Sequence, residues 1–516
     1  MLPPPPASRN GWLWLIAGSL LAVLLPQCIR PWVQPAGLDL ENRAPAKFPP
    51  VPTSWDSVRH WARDLDAYLV DHFPARPVLI RTVNAMRYNA GYSGTRKVAV
   101  GRQGWLFYDD GTHSAIAMGE ERLRDAELDD WFAGLEQRVE AMRPRGIGFY
   151  VLFAPTKETV YPAFRPVWMK QGVPRNEIDD ILTAGRKRGL DQLVYPRDAL
   201  MRASATQPLW DEFDTHWTAA GAHIAYSELL KRIQRDYPEM VPLPIDHFRQ
   251  RHPRDAATLT DLANMLGISA LVSRPRLTFQ DSAADNGPTQ FKDQSGNPVV
   301  LPGRPPVLKT GRTLLLLRDS FGLELLPLLK PHFDKVVVAH LDKGFWRPDL
   351  IEKHAPDVVV LEAIETGARH VMQPLPARPS PVFPARTGDT GSRPGGACNF
   401  DSLNASPVVA GADGIGRKSQ LEVQGWSAIS ADEAIVPDAN VLGIRRRGEP
   451  ERYVRARHMR RDDVARYFSR AGLRSSGFQA LIDTTGLAGG YELTVQLVWR
   501  GSVYRCPLVQ QIRLGS

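Results

Sequence analysis

The sequence predicts an α/β domain built on a parallel sheet, with one membrane anchor before it and a β-sandwich after it. Three observations carry that prediction. Between Ser54 and Leu361, stretches with helical spacing alternate with short apolar strands, the signature of a parallel sheet covered by helices. Asn10 to Ile29 is a run of twenty uncharged residues, long enough to cross a bilayer once. After a stretch rich in Pro, Gly, Ser and Arg, Cys398 to Leu514 carries short alternating runs broken by Gly and Pro, as sandwich strands do.

A chain of 516 residues has room for two or three domains. Trp12, Trp14 and Trp32 are spaced like interfacial anchors, and Pro26-Gln27-Cys28 offers no clean cleavage site. Residues 1–32 therefore read as an uncleaved signal anchor rather than a cleaved signal peptide. Residues 38–371 form the α/β domain, 372–396 a linker and 397–516 the β-sandwich, for which carbohydrate binding is one use. A formal net charge of +8 is a mild bias over this length. It suits an acidic polysaccharide or a phosphate-bearing surface. No helical basic stripe or RNP-like aromatic pattern appears, so no nucleic-acid partner is expected.

The elements of the α/β domain follow in order. Trp55, Val58, Trp61, Leu65, Tyr68 and Leu69 recur at helical spacing. Lys97–Val100 and Gly104–Tyr108 read as a hairpin around Gly101-Arg102-Gln103-Gly104. Leu128, Trp131, Leu135, Val139 and Met142 line one face of a helix that stops at Pro144 and Gly146. Phe149–Phe153 is a buried-type strand, followed by a helix from Asn176 to Arg188 and a short strand, Gln192–Tyr195. Tyr226, Leu229, Leu230, Ile233 and Tyr237 mark the next helix. Pro242 to Pro306 is irregular, with a helical patch at Leu259–Leu266 and a hairpin around Phe279–Lys292. Such an insertion suits a lid or a substrate groove. Strands at Thr313–Leu317, Lys335–Val338 and Asp357–Leu361 complete the sheet.

Two stretches carry chemistry. Asp214-Thr215-His216-Trp217-Thr218 sets a carboxylate two residues from an imidazole, at the start of a helix. Arg318-Asp319-Ser320-Phe321 follows the apolar strand. In a parallel sheet, chemistry gathers at strand C-terminal ends, and a strand-to-helix turn exposes its side chain beside backbone N–H groups. Each stretch alone has a bland explanation, since Asp and Ser cap helices and a lone histidine is usually structural. Together they read as a Ser-His-Asp assembly. His216 would take the proton from Ser320 Oγ, Asp214 would orient the imidazole, and Ser320 would carry an acyl group as an ester. The Ser320 amide is a candidate oxyanion donor. Asp214 and His216 as metal ligands lack a third ligand in a recognisable motif, so no metal and no cofactor are expected.

Other features read more plainly. Gly411–Ser419 only approaches a phosphate loop and reads as a turn. Arg445-Arg446-Arg447 with Arg455, Arg457, Arg460 and Arg461 reads as a solvated basic face ahead of an anionic-glycan or lipid-phosphate surface. Cys398 and Cys506, near the two ends of the last domain, either staple its outer strands in an oxidising compartment or remain two thiols.

Taken in order, the motifs resemble a known family, the extracytoplasmic SGNH-like O-acetyltransferases typified by the alginate O-acetylation proteins of bacteria. The resemblance spans Glu41 to Glu365. It rests on Glu41-Asn42-Arg43, Asp71-His72-Phe73-Pro74-Ala75-Arg76, Gly101-Arg102-Gln103-Gly104-Trp105-Leu106-Phe107, Ala154-Pro155-Thr156-Lys157 with Tyr161-Pro162, and the two chemical stretches. It implies a permuted SGNH-hydrolase-like fold, in which the Asp-His motif precedes the serine, with Asp214, His216 and Ser320 as the triad. Lys157, Tyr161 and Trp217, on the same motifs, become substrate-binding candidates. It implies acetyl transfer onto a cell-surface or exported polysaccharide in the periplasm, from a body anchored in the inner membrane. The acetyl donor would be a separate multi-spanning membrane O-acyltransferase. Ordinary SGNH hydrolases carry Gly-Asp-Ser where this chain has Arg318-Asp319-Ser320. An acetyl esterase with the same triad, and a non-catalytic glycan-binding or scaffold protein, are the alternatives.

Overall fold

The computed structural model describes residues 12–19, 21 and most of 46–514. Outside the description lie 53, 74–75, 121, 170–171, 173, 252–259, 273–277, 282–297, 303–309, 373–374, 384–391, 405, 408–413 and 417–419. The expected anchor therefore falls mostly outside it; residues 12–19 and 21 are helical and exposed. Among the described residues no helix is long and apolar enough to cross a membrane.

Helices Trp55–Asp71 (α1) and Arg76–Asn89 (α2) lead into a hairpin of Val98–Val100 (β1) and Leu106–Tyr108 (β2). Then come Asp125–Met142 (α3), Gly148–Ala154 (β3), Glu177–Lys187 (α4), Leu193–Val194 (β4) and Ala219–Ile233 (α5). Val299–Pro302 (β5), Thr313–Arg318 (β6), Lys335–His340 (β7), Pro348–His354 (α6) and Val358–Ile364 (β8) complete the first domain. Its sheet has six strands in the order β4-β3-β8-β6-β7-β5. All neighbours are parallel except β5, which runs antiparallel to β7.

The strands are nearly continuous in Leu and Val because both faces of the sheet are buried. Leu314, Leu316, Val336, Val338, Val358 and Val360 face one core, closed by Ala222, Tyr226, Leu229 and Ile233 of α5. Leu315, Leu317, Val337, Val359 and Leu361 face the other, closed by Trp131 and Leu135 of α3, Ile178 and Ile181 of α4, and Leu350 and Ile351 of α6. Local signals agree with this packing. Asn176 caps α4 by accepting from Ile178 N–H and Asp179 N–H, and Thr218 Oγ1 caps α5 by accepting from Gly221 N–H.

Two elements of the irregular segment differ from expectation. The strand β5 is too short and too close to proline to stand out, yet it occupies the sheet edge, where Pro302 is tolerated. Thr278–Asp281 pairs with Phe248–Arg251, and most of the expected 279–292 hairpin lies outside the described residues.

The second domain contains Arg393–Pro394 (β9), Ala397–Leu403 (β10), Ser406–Pro407 (β11), Gly414–Gly416 (β12), Gln420–Ala428 (β13), Ala439–Arg445 (β14), Arg452–Met459 (β15), Gly477–Asp483 (β16), Gly489–Trp499 (β17) and Ser502–Leu514 (β18). The strands follow one path, β9-β18-β17-β14-β15-β16-β13-β10-β11, with β12 beside β18. The path turns at β15, which pairs with β14 over Arg452–Ala456 and with β16 over Arg457–Met459. Phe400, Val423, Leu442, Val454, Phe478, Leu493 and Leu497 pack together between the strands. A disulfide joins Cys398 of β10 to Cys506 of β18, with Cα atoms 6.2 Å apart. The described part of residues 372–396 touches both domains: Met372 packs in the core beneath α3 and Leu375 N–H donates to Gln137 Oε1 of α3 at 2.8 Å, while Ala377 N–H donates to Leu481 O and Ser380 pairs with Tyr453. Members of the basic face are paired, through Arg445–Glu492, Arg460–Asp462 and Arg461–Asp463.

The domains meet where Arg455 of β15 reaches Asp130 of α3 at 3.0 Å. Burial raises the Asp130 carboxyl to about 6 against the pull of Arg455. Between the domains, at the C-terminal edge of the six-stranded sheet, lies a cavity of about 660 Å³ walled by Arg138, Asp319, Phe345, Trp346, Gln420 and Leu481.

Candidate active site

The strand β6 ends at Arg318, and the chain tightens into a 3-10 turn, Ser320–Leu323. Asp319 holds that turn. Its Oδ1 accepts Phe321 N–H at 2.9 Å and its Oδ2 accepts Ile364 N–H of β8 at 2.6 Å. Glu362 of β8 stands behind, with Oε2 accepting Asp319 N–H at 3.2 Å. Burial, then the charge of Asp319, keep the Glu362 carboxyl well above the usual range. Gly322 is required by space. A Cβ there would lie 2.6 Å from Arg318 Cβ and 2.7 Å from Glu362 Oε2. Ser320 itself is exposed. With Phe321 N–H committed to Asp319, the Ser320 N–H is the amide of this turn to consider for an oxyanion.

Asp214 and His216 sit in the loop that leads into α5. Its ends close on each other: Trp210 pairs with Trp217, and Thr218 N–H donates to Leu209 O at 2.8 Å. Trp210 Nε1–H donates to Thr215 O at 3.0 Å. Inside this loop Asp214 Oδ1 accepts His216 N–H at 2.8 Å and meets His216 Nδ1 at 2.9 Å. A buried carboxylate thus fixes both the backbone and the ring of the histidine, and assigns the Nδ1 proton to itself.

Phe321 brings the two stretches together. Its ring centroid lies 4.9 Å from that of His216, and its carbonyl accepts Trp217 Nε1–H at 3.1 Å. A Ser320–His216 hydrogen bond is not among the contacts observed between the described residues. Catalytic hydrogen bonds commonly tighten only around substrate.

The comparisons with known proteins meet this geometry. Residues 98–304 match the family model described as the SGNH hydrolase-like domain of acetyltransferase AlgX. That segment contains Asp214 and His216 and ends before Ser320. A probable alginate O-acetylase AlgJ of Pseudomonas fluorescens is 23% identical over 181 residues, covering 34% of this chain and 44% of the relative. The AlgJ of Pseudomonas aeruginosa is 22% identical over 210 residues, covering 41% and 51%. The chain thus spans about half the length of the curated relatives it matches. Among solved structures, Bacillus cereus PatB1 aligns at 11% identity and a TM-score of 0.39, covering 53% of this chain and 98% of that one. The O-acetyltransferase domain of Pseudomonas putida AlgJ aligns at 19% and 0.36, covering 53% and 92%. The family resemblance read from the motifs is borne out by the AlgX-type match and the AlgJ relatives.

The structure places three candidate residues of the AlgX-like segment in the interior. Lys157, Tyr161 and Trp217, expected to bind substrate, are 2%, 7% and 1% exposed. They support the site from behind. Lys157 Nζ donates to Asp211 O at 3.0 Å and Glu212 O at 3.1 Å, between the Trp105 and Phe107 rings. Burial lowers its amine to about 8. Tyr161 OH accepts Leu209 N–H at 2.9 Å, and Trp217 is spent on Phe321.

The sequence reading also missed Asp261. It comes from the irregular segment, in a short helix whose Leu262 and Ala263 N–H groups both reach Phe213 O at 3.2 Å. Its Oδ1 accepts Thr215 N–H at 2.7 Å. Burial and the charge of Asp214 raise its carboxyl. No pattern in the chain marks it, because the contact depends on how the segment folds back. Among the described residues, Asp214, His216 and Asp261 are the cluster with donor atoms close enough, within 4.8 Å, to surround a cation. Backbone N–H groups of Thr215 and His216 already point at those carboxylates, so hydrogen bonding accounts for the arrangement.

Proposed function

We propose that this chain is an O-acetyltransferase that passes an acetyl group through Ser320 to hydroxyls of a bacterial cell-surface or exported polysaccharide. One observation carries the reading: the hydrogen-bonded Asp214–His216 pair stands, through Phe321, against the exposed Ser320 turn at the C-terminal edge of a parallel sheet. The match to an acetyltransferase model and to alginate O-acetylases supports the transferred group and the acceptor class. The order of motifs, Asp-His before serine, supports a permuted SGNH arrangement.

In the proposed reaction Ser320 Oγ attacks the carbonyl carbon of an acetyl ester while His216 Nε2 takes its proton. The donor alcohol leaves with that proton, and Ser320 holds the acetyl group as an ester. A sugar hydroxyl then attacks the ester, giving its proton to His216, and the serine is restored. Asp214 stabilises the imidazolium in both halves. The donor is a multi-spanning membrane O-acyltransferase, and residues 1–32 hold the body against the inner membrane on its periplasmic side. The Cys398–Cys506 disulfide supports an oxidising compartment.

The test uses full-length protein, 4-nitrophenyl acetate as donor and an acidic oligosaccharide as acceptor, with acetylated product read by mass spectrometry. Ser320→Ala is expected to lower transfer at least ~10³-fold. Unchanged labelling would overturn the serine mechanism. Ester hydrolysis that the acceptor never diverts would favour an esterase.

A further inference from the structure

We infer that Asp261 is a positioning residue that acts on His216 as a second carboxylate partner, alongside Asp214. The inference rests on the acyl-transfer reading of Ser320, His216 and Asp214 and adds a residue to it. Asp261 Oδ2 lies 3.6 Å from His216 Nδ1, the nitrogen that Asp214 Oδ1 meets at 2.9 Å. Its other oxygen, Oδ1, holds Thr215 N–H, the amide between the two motif residues. One side chain therefore fixes the backbone of the Asp-x-His turn and faces its ring.

The two carboxylates divide the work by distance. Nδ1 carries one proton, and the 2.9 Å contact gives it to Asp214. At 3.6 Å, Asp261 contributes charge rather than a full hydrogen bond. When His216 accepts the serine proton, the imidazolium lies between two anions, one buried and one half-buried. The surrounding charges include Lys157, which acts on Asp214 and Asp261, Asp319, which acts on His216, and Tyr108 near Asp261. The Phe321 ring covers another side of the imidazole. Two carboxylates sharing one cation repel each other in its absence, and the Asp261 carboxyl is indeed raised by burial and by Asp214. The irregular segment thus supplies part of the site as well as any cover over it.

The test compares pH profiles of kcat/KM for acetyl-ester turnover by full-length wild type, Asp261→Asn and Asp261→Glu. Asparagine keeps an oxygen for Thr215 N–H and removes the charge. The plateau should fall about tenfold, the factor that one pKa unit of charge stabilisation carries. The acid limb should move to lower pH by about one unit, because an imidazolium with one anion fewer loses its proton more readily. Asp261→Glu, which returns the charge, should bring the limb back toward wild type. A profile scaled down without displacement would show a merely structural residue and overturn the inference, as would a profile that superimposes on wild type. Ser320→Ala in the same assay separates the two claims. If it stays active, the acyl-enzyme reading fails. If it is inactive while Asp261→Asn leaves the limb in place, only the role of Asp261 fails.

Discussion

The turn that carries Ser320 is held by its own strand and the strand beside it. The loop that carries Asp214 and His216 is held by residues from several other parts of the chain. Asp319, Glu362 and Ile364 fix the serine turn through short contacts at the ends of β6 and β8. The loop depends on Lys157, Tyr161, Asp261 and the Phe321 carbonyl. The difference has a physical origin. A parallel sheet delivers a strand end to a fixed place, so the Ser320 turn needs only local capping. A loop has no ladder, so its backbone groups must find partners elsewhere. On this view the serine turn fails through its own residues, and the histidine loop fails through distant ones.

The contact common to both views is Asp214 to His216, and breaking it should have the largest effect. Asp214→Asn keeps the size of the side chain but offers an amide that can stabilise the wrong imidazole tautomer. Acetyl-ester kcat/KM should fall about 10³-fold or more, with the circular dichroism spectrum unchanged. A loss below tenfold would mean that the ring is oriented without this carboxylate, and the comparison would lose its centre.

Next comes the serine turn. Gly322→Ala puts a methyl group 2.6 Å from Arg318 Cβ, so the turn must move. A shift of about 1 Å in a catalytic group costs about 10²-fold in rate, and overpacking costs about 1–3 kcal/mol in stability. Kinetics and urea unfolding on the same sample read both. Full activity would show that the turn is softer than its short contacts suggest.

This asymmetry also explains what the sequence made legible. Five of the sheet's six strands were readable as short apolar runs, because burial on both faces leaves near-continuous Leu and Val; the edge strand β5 was not. The Ser320 turn was readable because it follows such a strand. Gly322 could have been noticed, since a glycine two residues after a strand-end serine marks close backbone approach. The support of the loop was not readable. Lys157 sits in a motif, which suggested substrate contact, yet its ammonium is turned inward to two carbonyls. Asp261 lies in the helical patch read at Leu259–Leu266, but nothing in that patch says that it folds back onto the Asp214–His216 loop. The second domain was read as a β-sandwich from its short alternating runs, but its strand order was not readable, because alternation along strands says nothing about which strands pair.

The smallest expected effect tests the loop from its far support. Lys157→Met keeps the stem among Trp105 and Phe107 and removes the donor to Asp211 O and Glu212 O. At neutral pH the two consequences oppose each other: buried carbonyls lose a partner, and a buried charge disappears. Activity should fall about tenfold or less, through a looser loop. The clearer readout is stability against pH. The amine titrates near 8 in the folded chain and near 10.5 as a free side chain, so between those values the unfolded chain binds more protons. Wild-type stability should therefore gain from this group as pH rises from about 8 to about 10, by about 3 kcal/mol at most. Lys157→Met should lack that gain, and the difference between the two urea-midpoint curves isolates it from other titrations. Parallel curves would mean that the ammonium is not confined as the structure has it, and that the loop is steadied by Asp261 and Trp210 without help from Lys157.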